Sequence, residues 1–502
     1  MKSFLQNVSS LLFSKNSKEY LSKIDVLKAM RCKKLFWLEK NSPIQEEPTT
    51  TDILKKATKN EVKIKARELF ENGYLIKKRT QKSAIKETKK ALKENKEVIF
   101  DAVFEYEGIV TKIDILAKED VGYSFYEIKS GSGIKDTYFD EASLNYYLLS
   151  NSISLNKVFI IYINNKYIHQ EELDINELFI KKNITQIAKR RLSGIVEALS
   201  SLKEIKDMPK TNIGSWCNDS YECKYKFLCW KNIPSPSIFD LHKLPGNKKF
   251  EFYKNNIIKF EDIPSDFALK DEQKRQIEAE LEDKDIIKKE EIKKFISKAN
   301  YPLYFLDFET FQQAIPKFKN LRPYEQIPFQ FSLHILKTQN SEPIHIEFLA
   351  SEKNDPRAEL AEKLIKSIGK DGTIVAYNQS FEKSVIKRLA EQFSEYESEL
   401  TSLLDRFVDL MEPFEKGSYY TKKMKGSHSI KSVLPALVPE LSYKLLNIKD
   451  GGEAMSEYSL LYFKKNSKDI KKIKTSLLEY CKLDTLGMVK IWKKLEDCVQ
   501  NK

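Results

Sequence analysis

The sequence has no long apolar run, and this excludes a membrane-spanning helix. The longest, residues 158–163, has the length of a strand, far below the ~20 residues a span needs. Cysteine is scarce: the chain holds six in 502 residues, at Cys32, Cys217, Cys223, Cys229, Cys481 and Cys498. A secreted disulfide scaffold is short and cysteine-dense, so that class is excluded too. No secretory leader is read at the start. MKSFLQNVSSLLFSKNSKEY has one early lysine, no long apolar block and no small-residue cleavage site, and reads as a folded or frayed terminus. Excess charge is small for the length: 86 Lys and Arg against 73 Asp and Glu leave a net charge of +13. That permits a polyanionic partner without demanding one. No internal repeat is found.

Residues that build a core are plentiful. The composition is 41% hydrophobic and 32% charged, which suits a folded chain and argues against disorder. At about 150 residues per domain the length suggests about three domains. The pattern divides the chain into residues 1–235, 236–298 and 299–502. Pro234 and Pro236 interrupt the first zone. The middle zone is charged and helical and reads as a connector. The third opens a second alternation of strands and helices. Residues 77–97, with nine basic and three acidic residues, are expected as an exposed helix.

The first candidate site lies in VIFDAVFEYEGIVTKIDILAKEDVGYSFYEIKSG, which reads as a strand meander. In a strand, residues two apart share a face, so Glu127 and Lys129 project together opposite Tyr126 and Ile128. A carboxylate and an ammonium in an apolar strand fit a solvated hairpin edge. They equally fit a metal site in which Asp114 and Glu127 offer hard oxygen ligands and Lys129 orients or activates water. A helix over residues 141–149 and the strand KVFIIYI follow. This order resembles the core of the PD-(D/E)XK nuclease superfamily. The resemblance implies Asp114 and Glu127 as metal ligands and Lys129 as the catalytic lysine. Where the family often has Gln and Tyr on the next helix, this chain has Asn145 and Tyr147 as supporting residues. Glu61 corresponds to the helix carboxylate of some members, with an ordinary surface Glu as the alternative.

Three of the cysteines fall within residues 217–229 as C-x5-C-x5-C, followed by Trp230. Such crowding points to a metal or cluster in a reducing cytoplasm, and the alternative is three buried, hydrophobe-like thiols. Zinc sites more often pair cysteines two to four residues apart. A fourth ligand must come from elsewhere, and Cys32 is the candidate. An early cysteine joined to a C-terminal trio resembles the iron–sulfur nucleases of the RecB-like group. There a four-iron four-sulfur (4Fe-4S) cluster ties the two ends of the domain together. That implies Cys32, Cys217, Cys223 and Cys229 as cluster ligands, with zinc as the alternative. Cys481 and Cys498 are read as ordinary thiols.

The run YPLYFLDFETF places Asp307 and Glu309 on one face of an apolar strand. Adjacent carboxylates repel unless a cation compensates them, so a metal is the natural partner. Asn378 and Glu382 lie four apart in TIVAYNQSFEKSVIKRLAE, and Tyr480 and Asp484 four apart in LLEYCKLDTLGMVKIWKKL. Each pair shares a helix face. In this order the three pieces resemble the DEDD exonucleases of ribonuclease-H-like fold, in their tyrosine subclass (DEDDy). The chain departs at Glu382, where the family has Asp. The resemblance implies two divalent ions, Mg²⁺ or Mn²⁺, held by Asp307, Glu309, Glu382 and Asp484, with Asn378 in support and Tyr480 orienting the attacking water. Asp409 is a supplementary acidic candidate, with a strand-end turn as the alternative. His428 is a candidate phosphate contact, with a structural role as the alternative. Tyr419 and Tyr420, among lysines, fit base stacking or a plain loop.

The phrases GSHSIKSVLPALVPELSYKLLNI and EYCKLDTLGMV, with the cysteine trio, resemble the bacterial family carrying the domain of unknown function 2779. The expected fold class is therefore α/β: an N-terminal PD-(D/E)XK restriction-endonuclease-like domain with an iron–sulfur cluster, a helical connector and a C-terminal ribonuclease-H-like DEDDy domain. The expected function is a cytoplasmic, metal-dependent nuclease acting on DNA ahead of RNA, in DNA repair, processing or defence against foreign DNA. The alternatives are one active site beside a nucleic-acid-binding module, with the C-terminal half as the expected module because of Glu382, or a non-catalytic binding scaffold.

Overall fold

A seven-stranded and a five-stranded β-sheet, with a short two-stranded one, carry a mixed α/β fold. The computed structural model describes residues 20–500 except 79, 220, 352–353 and 462–465. The reading of the N-terminal segment concerns residues 1–19, which lie outside the described residues. The chain divides into two compact units. The first holds residues up to Glu47, Lys55–Asn232 and Ala314–Tyr324; the second holds Pro48–Leu54, Ile233–Gln313 and the chain from Glu325 onward.

In the first unit the elements run β1 (Leu21–Ser22), α1 (Lys23–Arg31), α2 (Lys33–Asn41), α3 (Thr50–Arg67, in this unit from Lys55), β2 (Tyr74–Leu75), α4 (Gln81–Lys93), β3 (Val98–Tyr106), β4 (Ile109–Lys118), β5 (Tyr123–Lys129), α5 (Asp136–Ser150), β6 (Leu155–Ile163) and β7 (Phe179–Asn183). Strands β2 to β7 lie side by side in sequence order, and β1 pairs with β4. The parallel β5–β6 pair is joined by α5, as a crossover requires. The lysine-rich helix α4 buries Ala84, Thr88 and Ala91, one stripe at helical spacing, and leaves its lysines outside. Residues 314–324 also pack here: Ala314, Ile315 and Tyr324 join Val62, Ala66, Phe100, Ile115 and Ile161 in one apolar cluster.

The second unit is built on β8 (Leu303–Phe311), β9 (Ile327–Leu336), β10 (Ile344–Leu349), α6 (Arg357–Ser367), β11 (Thr373–Ala376), α7 (Ser380–Gln392), β12 (Phe407–Asp409), α8 (Ile430–Leu437) and α9 (Ser467–Gln500). The sheet order is β10-β9-β8-β11-β12. Strand β9 is antiparallel to β8 and β10, whereas β11 is parallel to β8 and β12. The nearly continuous apolar sequence of β8 reflects its central place, with neighbours on both sides and both faces covered. Helix α9 has 34 residues and buries Leu477, Tyr480, Cys481, Asp484, Met488, Ile491, Trp492 and Leu495. Gly487 lets α8 come close: a Cβ there would stand 2.8 Å from Leu434 Cδ2. Residues 236–298, expected as a connector, form the helices Gly246–Lys254, Asp271–Leu281 and Lys289–Ile296. They count with the second unit. Ile238, Leu241, Leu244, Phe252 and Phe260 make a small core among them.

Candidate functional site

Asp114 stands where the first sheet forks. Strand β4 pairs with β5 from Ile115 to Lys118, and with β1 at Ile109 and Val110. Where the β4–β5 ladder stops, Asp114 Oδ2 accepts the Ile128 N–H at 2.8 Å, so a side chain takes over from the backbone. Glu127 and Lys129 share a face as their spacing requires, with Lys129 Nζ 3.2 Å from Glu127 Oε2. Helix α5 turns Tyr138, Glu141 and Asn145 toward them. Lys129 Nζ is 2.6 Å from Glu141 and 4.9 Å from the Tyr138 ring centre. Asn145 accepts the Thr111 hydroxyl at 2.5 Å and donates to Glu127.

Two lysines not anticipated from the sequence complete this cluster. Lys63, on α3, lies 2.5 Å from Asp101 and 2.7 Å from Asp114, and Arg67 lies 2.8 Å from Asp101. Lys23, at the start of α1, lies 2.7 Å from Glu141 and 3.6 Å from Glu127. The four acids Asp101, Asp114, Glu127 and Glu141 thus face the cations Lys23, Lys63, Arg67 and Lys129, and the exposed Lys112 also reaches Asp101, at 3.6 Å. Burial alone would lower the Lys129 pKa, but Glu127 and Glu141 hold it above its ordinary value. Burial alone would raise Glu141, and Lys129 and Lys23 bring it down instead. At Glu127 burial prevails over Lys23 and Lys129, and its pKa is raised. Two expected supporting residues are placed elsewhere. Tyr147 packs edge-on against Tyr106, ring centres 5.9 Å apart. Glu61 is half-exposed and pairs with Lys317 at 3.5 Å.

The four expected cluster cysteines come together. Cys32, Cys217, Cys223 and Cys229 line one pocket, with Lys34, Leu35, Trp216 and Tyr225 around them. Cys32 sits in extended backbone at the joint between α1 and α2. Arg31 ties that joint to the later loop by donating to the carbonyls of Trp216 and Tyr221, both at 2.7 Å. The Tyr225 hydroxyl donates to the Ser42 carbonyl at 2.9 Å. All four thiols are free of disulfides. Burial raises the pKa of Cys223 and of Cys229.

In the second unit, Asp307 and Glu309 on β8 meet Asp484 on α9, with one carboxylate oxygen of each within 4.8 Å of the others. Among the described residues they are the one set of three or more His, Cys, Asp or Glu donors that converges so closely. Glu382, in the first turn of α7, is buried, and its Oε2 has no hydrogen-bond partner. Burial, reinforced by the neighbouring carboxylates, raises Asp307 and Glu309 well above the ordinary range. Burial pushes Glu382 up to about 8, with Asp409 adding to it. Burial raises Asp484 to about 6, held down in part by the hydrogen bond from Tyr443 and by the charge of Lys431. Tyr480 is buried and its pKa is raised, so its phenol stays protonated. In contrast to the first cluster, no salt bridge to these four carboxylates forms among the described residues.

Asn378 is exposed with φ +68°, a left-handed conformation that asparagine tolerates, and leads into α7. Its N–H, with those of Gln379 and Met411, donates to Asp409 at 2.9, 3.2 and 3.0 Å. Asp409 therefore fixes the turn at the strand end. The His428 carbonyl accepts the Tyr377 hydroxyl at 2.7 Å, and its ring, half-buried, meets that of His242 edge-on. Tyr420 is buried, Tyr419 packs on Phe414, and the pair forms a short strand with Ile286 and Ile287. Cys481, read as an ordinary thiol, lies buried beside the second-unit carboxylates, with Sγ 3.4 Å from Asp307 Oδ2. Its place one residue after Tyr480 and three before Asp484 was the available signal. Tyr443, which donates to Asp484 Oδ1 at 2.5 Å, had no comparable signal in spacing.

The chain is similar to two curated proteins over limited spans. It is 26% identical over 216 residues to "Uncharacterized protein MG366" of Mycoplasma genitalium, covering 39% of this chain and 32% of that protein. It is 30% identical over 169 residues to "Uncharacterized protein UU173" of Ureaplasma parvum serovar 3, covering 29% of this chain and 24% of that protein. The chain thus spans about a third or less of the length of these relatives. A solved structure titled "Crystal structure of SSO0001" is 17% identical and covers 40% of this chain and 94% of that one. Its TM-score of 0.17 is too low to inform the fold. Residues 304–429, which include Asp307, Glu309, Asn378 and Glu382, match the family model "Domain of unknown function (DUF2779)", and the chain carries that domain.

Proposed function

We propose that the chain is a metal-dependent nuclease that hydrolyses phosphodiester bonds, with a 3′-to-5′ exonuclease centre formed by Asp307, Glu309, Glu382, Asp484 and Tyr480. The observation that carries this reading is the convergence of Asp307, Glu309 and Asp484 on one point. Buried carboxylates so close together, with no cation paired to them, are costly unless a cation binds. The unpartnered Glu382 oxygen fits the same need. Hard oxygen donors suit Mg²⁺ or Mn²⁺. Divalent ions held there supply charge stabilisation at the phosphate and the leaving 3′ oxygen. Tyr480, kept protonated by burial, offers a fixed hydroxyl that orients the attacking water. Asp484 and Glu382 reach their ligand form as they lose their protons, so activity rises from acid toward neutral and alkaline pH.

Asp114, Glu127 and Lys129 are the proposed PD-(D/E)XK site. Their carboxylates are already matched by the protein's own lysines, which leaves little unpaired negative charge for a metal there. That observation favours a second reading, in which the second unit alone hydrolyses and the first binds nucleic acid. The four cysteines are the proposed ligands of a 4Fe-4S cluster. Tetrahedral zinc with Zn–S bonds of about 2.3 Å sets its sulfurs about 4 Å apart. Zinc is the alternative occupant of the same pocket. The donor set fits a structural staple between the N-terminal helices and the loop after residue 210. DNA is the proposed substrate and RNA the alternative. The proposed setting is the cytoplasm, in repair, processing or defence.

The test is digestion of end-labelled single-stranded DNA with Mg²⁺ or Mn²⁺ by wild type, Asp307→Ala, Lys129→Ala and the double variant. If each single variant removes a distinct set of products, both sites hydrolyse. If only Asp307→Ala matters, the second reading holds. If wild type binds DNA and leaves both DNA and RNA intact, the nuclease reading is overturned in favour of a binding scaffold.

A further inference from the structure

We propose that Lys431 is the substrate-binding cation of the second-unit centre and grips the phosphodiester presented for cleavage, an assignment that rests on the nuclease reading above. Lys431 lies in the first turn of α8, two residues after the cap residue Ser429. Its Nζ stands 5.8 Å from the centre of the Tyr480 ring, within cation–π range. Its charge acts on both Glu309 and Asp484. Among the described residues, however, no carboxylate lies within ion-pair distance of it. The contrast with the first unit is direct. There Lys23, Lys63 and Lys129 are each held at 2.5–3.6 Å by carboxylates. Lys431 is also exposed, whereas Glu309, Glu382, Tyr480 and Asp484 are buried.

Charge balance gives this placement a purpose. Two divalent ions would neutralise the four carboxylates and leave the negative charge of an incoming phosphodiester unmatched. That charge grows as the phosphorus is attacked. An ammonium beside the tyrosine that orients the water, on the solvent side of the carboxylates, meets the phosphate where it must dock. Lysine suits the task as a compact, mobile point charge.

The experiment compares wild type, Lys431→Ala and Lys431→Arg as full chains, with a 5′-labelled single-stranded oligonucleotide and Mn²⁺ over a range of salt. Lys431→Ala is expected to lose at least about tenfold in kcat/KM, and its log KM against log salt to flatten by about 0.7, one phosphate contact on a single strand. Lys431→Arg is expected to keep most of both. The rise in melting temperature that Mn²⁺ causes should be the same in all three, since the carboxylates are untouched. An unchanged kcat/KM and salt slope in Lys431→Ala, with wild type active, overturns the proposal and leaves the nuclease reading standing. Loss of the Mn²⁺ shift in Lys431→Ala also overturns it, because Lys431 would then act through the metal site. A wild type inactive on DNA and RNA overturns the nuclease reading itself, and this assignment with it.

Discussion

The Tyr443 hydroxyl donates a hydrogen bond to Asp484 Oδ1 at 2.5 Å, and the Tyr443 ring centre lies 6.0 Å from that of Tyr480. Tyr443 therefore holds the carboxylate that the other tyrosine also contacts. A hydrogen bond to a charged group contributes about 1.5–3 kcal/mol. This one favours the ionised form of Asp484. Tyr443→Phe is expected to lower kcat/KM about tenfold or more and to move the acid limb of the pH–rate profile to higher pH. An unchanged profile would show that Tyr443 is only packing.

The second-unit carboxylates make metal-free stability depend on pH. The ordinary values are 4.5 for Glu382 and 3.8 for Asp484, and the folded values are raised to about 8 and about 6. A raised carboxyl is favoured in its protonated form by the native state. Its contribution is fully present below about pH 4 and is lost as pH rises through about 6 and 8. Glu382→Gln removes the buried charge, so it is expected to raise the metal-free melting temperature at pH 9 and to change it little at pH 5. A lower melting temperature at both pH values would contradict the assigned burial cost.

The first-unit cluster depends on Lys63. Removing it leaves Asp101 and Asp114 without their closest cation, although Arg67 and Lys112 still reach Asp101. Lys63→Ala is expected to destabilise the protein by about 1–3 kcal/mol in denaturant unfolding, less than for a fully buried pair. Stability equal to wild type would mean that the lysine is exchanged freely for water.

The cysteine pocket predicts colour. Protein purified without oxygen is expected to be brown, with broad absorbance near 400 nm, an order-of-magnitude position for such clusters. Cys32→Ser and Cys229→Ser are each expected to lose the colour and lower the melting temperature. Colourless protein with one zinc per chain would refute the iron assignment.

Much of both sites was legible because the signal was local. Period-two strands place Glu127 with Lys129 and Asp307 with Glu309, and four-residue helix spacing places Tyr480 with Asp484. What escaped came from distant segments and common residue types. Glu61 and Lys63 are two apart on α3 and so differ by about 200° around the axis. Lys63 faces Asp114, and Glu61 faces Lys317. Lys23 and Tyr443 lie about a hundred and about forty residues from their partners Glu127 and Asp484, and nothing local marks them. Cys481 lies about 250 residues from the cysteine trio, and only its place between Tyr480 and Asp484 marks it. The placement of residues 314–324 in the first unit follows from apolar packing that no short pattern encodes.

That the carboxylates of β8, α7 and α9 form a divalent-metal site is tested most directly by Mn²⁺ titration at pH 8, followed by thermal melting of wild type and Asp307→Asn. Saturation at about a hundred times the dissociation constant stabilises the native state by about 2.7 kcal/mol. Wild type is expected to melt about 5 °C higher or more, and Asp307→Asn to show little or no rise. Equal shifts in the two proteins, or none in wild type, would contradict the assignment.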